Sequence, residues 1–270
     1  FALIHRNTSK LLDDLVESGN VTILQGDLND FVAIEHKLSE VMKSRGAHLN
    51  TIVHCAGRVS DVGRRDEFRR MNFESVQNLC KLVDSLNVDR FVFVSTTDVY
   101  GRRDFSGETE NELPLQTNIP NPYPEFKIKA EKWVRDHLPA ARFAIIRPAA
   151  VWGAGDCTLT PRIVSFLKFS PWIIHFGKWK GKNRCPLAHV RNVTAGIYAA
   201  ATLQEAAGQA INIIDCERTS MDDYYRIITS VYLPNKNFRS ITIPMCFGKI
   251  LGTVILGISS ILNLKHPFID

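Results

Sequence analysis

The 270-residue sequence predicts an α/β protein: a doubly wound parallel sheet followed by a smaller, loop-rich lobe. Three observations predict it. Up to Pro148, short β-branched or aromatic runs alternate with longer amphipathic segments. The run Arg90-Phe91-Val92-Phe93-Val94 is almost wholly apolar, as a strand covered on both faces of a parallel sheet must be. Beyond Pro148 the alternation loosens, and Pro161, Pro171 and Pro186 punctuate the chain. The expected division is a dinucleotide-type domain over 1–155 and a substrate lobe over 156–270.

In order, the strands are expected at Phe1–His5, Val21–Leu24, Asn50–His54, Arg90–Ser95 and Arg142–Arg147. Apolar spacing places helices between them at Thr8–Ser18, Phe31–Arg45, Arg65–Leu86 and Pro124–His137. The second lobe follows with a helix over Asn192–Leu203, a strand over Ala210–Ile214 and a helix after Ser220. Last comes an apolar segment from Ile250 to Leu264 without a charged residue. Its fifteen residues fall short of the roughly 20 that span a bilayer, so it reads as a buried or membrane-surface helix.

Composition is that of a soluble globular protein, with 45% apolar and 23% charged residues. The net charge of +5 is mild and its carriers are scattered, which argues against a nucleic-acid partner and leaves a small-molecule substrate. The exception is Lys178-Trp179-Lys180-Gly181-Lys182-Asn183-Arg184, which reads as an anion-binding segment or as a solvated loop. Six cysteines lie far apart with no CxxC and no metal-ligand spacing. That suits a reduced cytoplasmic protein without a metal site, membrane-associated only through the terminal stretch.

The chemistry concentrates at Tyr123 and Lys127, four residues apart and so on one helix face. They lie 26 residues after the hydroxyl run Ser95-Thr96-Thr97 at the end of the strand over 90–95. A cation about 4 Å from a phenol is worth roughly 4 kcal/mol at an effective dielectric of 20. Such a neighbour would lower the phenol by up to roughly 3 pKa units from its reference of about 10, making Tyr123 a proton donor and acceptor near neutrality.

Four more segments surround this pair. Gly26-Asp27-Leu28-Asn29-Asp30 lies at a strand's carboxyl end, where open sheets bind ligands, and reads as an adenine contact, a helix N-cap, or both. His54-Cys55-Ala56-Gly57 ends a strand in small residues that admit a flat ligand or a tight turn. Asn72 is a buried polar anchor or a surface amide. Arg147-Pro148-Ala149-Ala150-Val151-Trp152-Gly153 leaves the next strand toward the same side.

With these segments in place the chain resembles the extended short-chain dehydrogenase/reductase superfamily, which contains the NAD-dependent epimerase/dehydratases and 3β-hydroxysteroid dehydrogenases. The resemblance runs to about Asp215. It is carried by GDLND (26–30), IVHCAG (52–57), MNFESVQNL (71–79), FVFVSTTDVYG (91–101), YPEFKIKAE (123–131), RPAAVWG (147–153) and PLAHVRNV (186–193). It implies a Rossmann-like fold with Tyr123 as catalytic acid/base. Lys127 would hold the nicotinamide ribose, and Thr96, with Ser95 as alternate, would bond the substrate oxygen. Asp27 and Leu28 would flank the adenine, Cys55, Ala56 and Gly57 would line the cofactor groove, and Pro148 and Val151 would border the nicotinamide. Dimers through the helices near 65–86 and 124–137 are implied too.

One departure is large. The family opens with a strand and a glycine-rich turn that holds the pyrophosphate, and no such motif occurs here. Phe1–Arg6 matches the family's second strand, so the expectation is a fragment lacking the central first strand and the phosphate site. His5-Arg6 also stands where NAD-users place an acid; an arginine suits a 2′-phosphate, which favours NADP, with NAD the alternative. The implied activity is oxidoreduction of a secondary alcohol or ketone, lipid- or sterol-like. The alternatives are a nucleotide-sugar epimerase or dehydratase, and a non-catalytic binding protein that kept the fold.

Overall fold

The computed structural model describes residues 2–5, 17, 21–60, 63–101, 103–116, 119, 121–216 and 219–248. Most of the helix expected at Thr8–Ser18, Arg6 and the segment 250–264 therefore lie outside the described residues. The chain forms two units. The first comprises Phe1–Val59, Arg64–Ile146 and Ile197–Ile211; the second comprises Ser60–Gly63, Arg147–Gly196 and Asn212–Asp270. The boundary expected after residue 155 thus falls at 146–147, and residues 197–211 return to the first unit.

The first unit is α/β with parallel strands throughout. β1 (Ala2–His5) pairs with β2 (Thr22–Gln25), and β3 (Thr51–His54), β4 (Arg90–Val94), β5 (Phe143–Pro148) and β9 (Ala210–Ile213) form a separate sheet in that order. The resemblance places a strand between β1 and β3, and no hydrogen-bonded pairing joins these two halves among the described residues.

Helix α1 (Phe31–Arg45) follows β2 over the residues read from sequence, because both ends carry local signals. The Asp30 carboxylate accepts from Ala33 N at 3.1 Å, and Gly46 closes the last turn at φ 55°, a left-handed conformation that costs glycine least. The long helix read over 65–86 is three pieces: α2 (Arg65–Arg69), a π-helical turn (Arg70–Glu74) and α3 (Ser75–Ser85). Next, α4 (Pro122–His137) starts two residues before the expected Pro124. Asn121 caps it by accepting from Tyr123 N at 2.9 Å, and Pro122 occupies a first-turn position that needs no N–H partner.

Alternation along β4 sends Phe91 and Phe93 to one face, where they pack with Ile34 and Leu38 of α1, Val76, Leu79 and Val83 of α3, and Ala130 and Val134 of α4. Each fully buried Phe or Leu is worth about 1.5–3 kcal/mol of transfer free energy. Val92, Ala144 and Ile146, of opposite parity, are buried too, which explains the unbroken apolar run. Arg90, read as the first residue of that strand, is buried and serves helix α6 (Val190–Thr202). Its Nη1 donates to Ala200 O and Leu203 O, satisfying carbonyls that a helix end leaves without partners.

The second unit holds more regular structure than its prolines suggest. β6 (Ala150–Trp152) pairs with β8 (Leu187–His189), and β7 (Trp172–Phe176) with β10 (Arg239–Ile243), both parallel. Two further helices are α5 (Leu159–Phe169) and α7 (Met221–Tyr232). Pro161 does not break α5, because it sits in the first turn, where backbone N–H groups lack intrahelical acceptors. The Asp156 carboxylate takes the neighbouring N–H groups of Thr158, Leu159 and Thr160 at 2.8–2.9 Å. Among the described residues no helix is long and apolar enough to cross a membrane.

Candidate active site

β3 and β4 are parallel, with His54 opposite Phe93, so both deliver their carboxyl ends to one edge of the sheet. There the chain leaves β4 through Ser95 and Thr96 into a 3-10 turn (Thr97–Tyr100). The Thr96 hydroxyl caps that turn, accepting from Asp98 N at 3.2 Å, and lies close enough to the Tyr123 phenol to lower its pKa. Tyr123 reaches it from the first turn of α4. Lys127, one turn on, is buried and donates from Nζ to Val94 O at 2.8 Å, with the Phe93 ring centroid 4.8 Å away. Thr96, Tyr123 and Lys127 therefore all lie at the carboxyl end of β4. Ser95 is buried and its hydroxyl has no partner among the described residues, so Thr96 is the one beside the phenol.

The electrostatics differ from the expectation drawn from spacing. Burial pushes the Tyr123 phenol well above its ordinary range, and the Asp98 carboxylate pushes it further, with only the Thr96 hydroxyl opposing. The Lys127 ammonium was expected to lower it. Instead that ammonium is turned to Val94 O and the Phe93 ring, and it interacts with Cys55 and Glu131. Its own pKa falls to about 8, because burial outweighs the attraction of the Cys55 and Glu131 acids. In this state Tyr123 is a proton donor at neutral pH rather than a base.

At the end of β3, Cys55 and Ala56 are exposed and Gly57 is half-buried. Gly57 lies where Asn72 and Lys127 close in: a Cβ there would sit 2.6 Å from Asn72 Oδ1 and 3.5 Å from Lys127 Nζ. Asn72 is the buried anchor of its two readings. Its Oδ1 accepts from Arg58 N at 2.8 Å and its Nδ2 donates to Arg58 O at 3.1 Å, fixing the loop after β3 to the π-helical turn. Such turns place a side chain where a regular helix would not.

Asp27 and Leu28 are tied within the protein. Asp27 Oδ1 accepts from Asn29 N and Nδ2 at 3.0 Å, and Oδ2 pairs with Arg70 Nη2 at 3.0 Å. The Leu28 side chain packs on the core and its carbonyl accepts from Asn78 Nδ2. Asp30, not Asn29, caps α1. Pro148 ends β5 and is buried, while Val151 lies in β6 opposite Ala188; both belong to the second unit. Arg6 lies outside the described residues.

Sequence reasoning did not single out two side chains at this edge. His54 is buried against the Phe91 and Phe93 rings, at centroid distances of 6.5 and 5.9 Å, and its Nε2 has no partner among the described residues. Glu131 is fully buried one turn beyond Lys127. The spacing 127–131 was a signal for Glu131. His54 had none, since only its partners' packing buries it.

Parallel strands with helices between them define a dinucleotide-type α/β fold, with a threonine, a tyrosine and a buried lysine at one strand edge. The chain belongs to the NAD dependent epimerase/dehydratase family, whose model matches residues 2–213. It is 28% identical over 218 residues to a 3 beta-hydroxysteroid dehydrogenase/Delta 5-->4-isomerase of Mycobacterium tuberculosis, covering 76% of this chain and 56% of that protein. It is 30% identical over 161 residues to a decarboxylating sterol-4-alpha-carboxylate 3-dehydrogenase of Schizosaccharomyces pombe, covering 59% and 44%. Among solved structures, a dTDP-glucose 4,6-dehydratase of Bacillus anthracis in complex with NAD superimposes with a TM-score of 0.68 at 20% identity, over 90% of this chain and 75% of that one. This last likeness concerns the fold alone. The chain spans about half the length of the curated relatives it matches.

Proposed function

We propose that the protein containing this chain is a nicotinamide-dependent oxidoreductase that interconverts a secondary alcohol and a ketone on a sterol-like lipid. The proximity of Thr96 and Tyr123 carries the reading, because it sets a protonated phenol and a second hydroxyl beside each other, where both can meet one carbonyl oxygen. Tyr123 donates its proton to that oxygen, and Thr96 orients the oxygen and replaces the phenol's lost partner. The relatives' names supply the substrate class: two act on sterols or steroids.

The residues present suit the nicotinamide end of a dinucleotide. Gly57 leaves the space a side chain would fill beside Asn72 and Lys127, and the buried Ser95 hydroxyl and His54 Nε2 lie along the same edge without partners among the described residues. Lys127 would hold the ribose and Cys55–Gly57 would line the groove. A bound nicotinamide supplies or accepts the hydride. The adenine end rests on sequence: His5-Arg6 supports NADP, with NAD the alternative.

The test uses the full-length protein with a 3β-hydroxysteroid and each dinucleotide. Stoichiometric cofactor reduction coupled to ketone formation is the expected result, faster with NADP. Absence of both dinucleotide binding and turnover would support the non-catalytic reading. The epimerase/dehydratase reading draws on the Lys178–Arg184 cluster, which could hold a diphosphate, and has only Asp98, whose charge acts on Tyr123, as a possible extra acid. Product formed from a nucleotide sugar without net cofactor consumption would establish it instead.

Dinucleotide affinity is expected to fall as pH rises through about 8, where the Lys127 ammonium loses its proton. Titration of the full-length protein from neutral pH to about one unit above that pKa checks this, and Lys127→Met should be weak and pH-independent. The stability sign is opposite. The unfolded lysine binds its proton up to 10.5, so between about 8 and 10.5 this group makes the fold more stable as pH rises.

A further inference from the structure

The basic segment Lys178–Arg184 has no place in the oxidoreductase chemistry above, and the structure of the second unit assigns it a neighbour. β7 and β10 are parallel and in register, Phe176 opposite Ile243, so both chains leave the ribbon at the same edge. β7 continues into Gly177 and the basic turn. β10 continues into Pro244-Met245-Cys246-Phe247-Gly248 and, in sequence, Lys249 and the uncharged stretch 250–264. The two exits touch. Gly177 N donates to Ile243 O at 2.9 Å, and a Cβ on Gly177 would lie 3.1 Å from Met245 Cε. One on Gly248 would lie 2.5 Å from the Phe176 ring.

The turn is held from behind. Lys182 N donates to Trp179 O at 2.9 Å, Asp222 N to Gly181 O at 3.0 Å and Met221 N to Asn183 O at 2.9 Å. Gly181, at φ 80°, lies against the His175 ring, which is hydrogen-bonded to Asp222 at 2.8 Å. Asp222 is also paired with Arg226 and Ser240. This scaffold leaves Lys178, Lys180, Lys182 and Arg184 exposed within seven residues, with Trp179 half exposed among them. Across the edge Met245 and Phe247 are 49% and 61% exposed. Neither exit carries an acid: 177–186 has none, and none occurs from Ser240 to Ile269.

We propose that this edge docks on the surface of an anionic phospholipid bilayer, the basic turn meeting headgroups while Trp179, Met245 and Phe247 enter the interface. Charge selects the partner, since basic residues are drawn to the negative surface of an anionic leaflet, and amphipathic aromatic rings favour the headgroup boundary. A free phosphate would use the cations but not three exposed apolar side chains. In sequence the uncharged stretch 250–264 follows, in keeping with a greasy partner. The proposal does not rest on the oxidoreductase reading.

The experiment is sedimentation of the full-length protein with vesicles of phosphatidylcholine alone or with about a third phosphatidylserine. Expected are at least tenfold tighter binding to the anionic vesicles and loss of that preference near 1 M salt, where the Debye length is about 3 Å. The double variant K180E/K182E, altering exposed side chains only, should lose the same tenfold, and W179A should weaken binding to a lesser degree. Inorganic phosphate at millimolar concentration should not release the protein. Equal binding to neutral and anionic vesicles would overturn the proposal. So would indifference to K180E/K182E, or release by phosphate. The lipid and salt comparisons use unmodified protein, so they decide the matter even if a variant misfolds.

Discussion

Tyr123→Phe in the full-length protein is expected to lower kcat by 10²–10⁴-fold, the usual worth of a positioned general acid. The substitution removes one oxygen and keeps the ring, so packing at the start of α4 persists. Thr96 keeps its backbone bond from Asp98 N and loses only its phenol neighbour. Because burial and Asp98 hold the phenol protonated, the loss should be present at neutral pH in the reduction direction. The alcohol-oxidising direction, which needs the phenolate, should be slow in the parent enzyme until the pH is raised. The measurement is kcat beside the dinucleotide Kd. Activity above a tenth of the parent, with Kd unchanged, would remove Tyr123 from the chemistry. A rise in Kd alone would make it a binding residue.

The second large effect concerns acid stability. His54 is buried against Phe91 and Phe93, and its pKa falls to about 3, first through burial and then through the Lys127 charge. In the unfolded chain it titrates near 6.5. Between about 3 and 6.5 the unfolded state therefore holds a proton that the folded state refuses, and stability falls as pH drops through that window. Two units of this window, from about 6.5 to 4.5, are worth roughly 2–3 kcal/mol. The carboxylates with depressed pKa values, whose unfolded references are 3.8 (Asp66, Asp89, Asp156, Asp215 and Asp222) or 4.5 (Glu108, Glu112 and Glu125), lose part of their stabilisation at the acid end of the same window with the same sign, so the His54 share is the part of the difference that a His54 variant removes. Urea unfolding at the two pH values measures the difference. His54→Leu should reduce it, and an equal slope in parent and variant would refute the assignment.

Local signals recovered whatever a short stretch of chain decides for itself. α1 was read over its full span because Asp30 and Gly46 mark its ends, and β4 because no residue in Phe91–Val94 tolerates exposure on either face. The order of motifs located Tyr123, Lys127 and Thr96. Elements whose signals conflict were not recovered. α5 carries Pro161, and β10 carries Arg239 and Ser240 in a two-stranded ribbon that covers little apolar surface. Three consecutive pieces of helix read as one, because a π-helical turn inserts a residue without changing composition.

The sequence by itself determined the α/β class and the parallel strands, since periodicity along the chain suffices for these, and the juxtaposition of a phenol, an ammonium and a hydroxyl was implied by its resemblance to a family. Only the tertiary structure decided which charge acts on which group. Spacing puts Lys127 on the same helix face as Tyr123, but the Val94 carbonyl and the Phe93 ring, brought there by the sheet, hold the ammonium, and Asp98 from the next turn acts on the phenol. Burial is a property of everything packed around a group, and it reverses a pKa shift that nearest neighbours along the chain would predict.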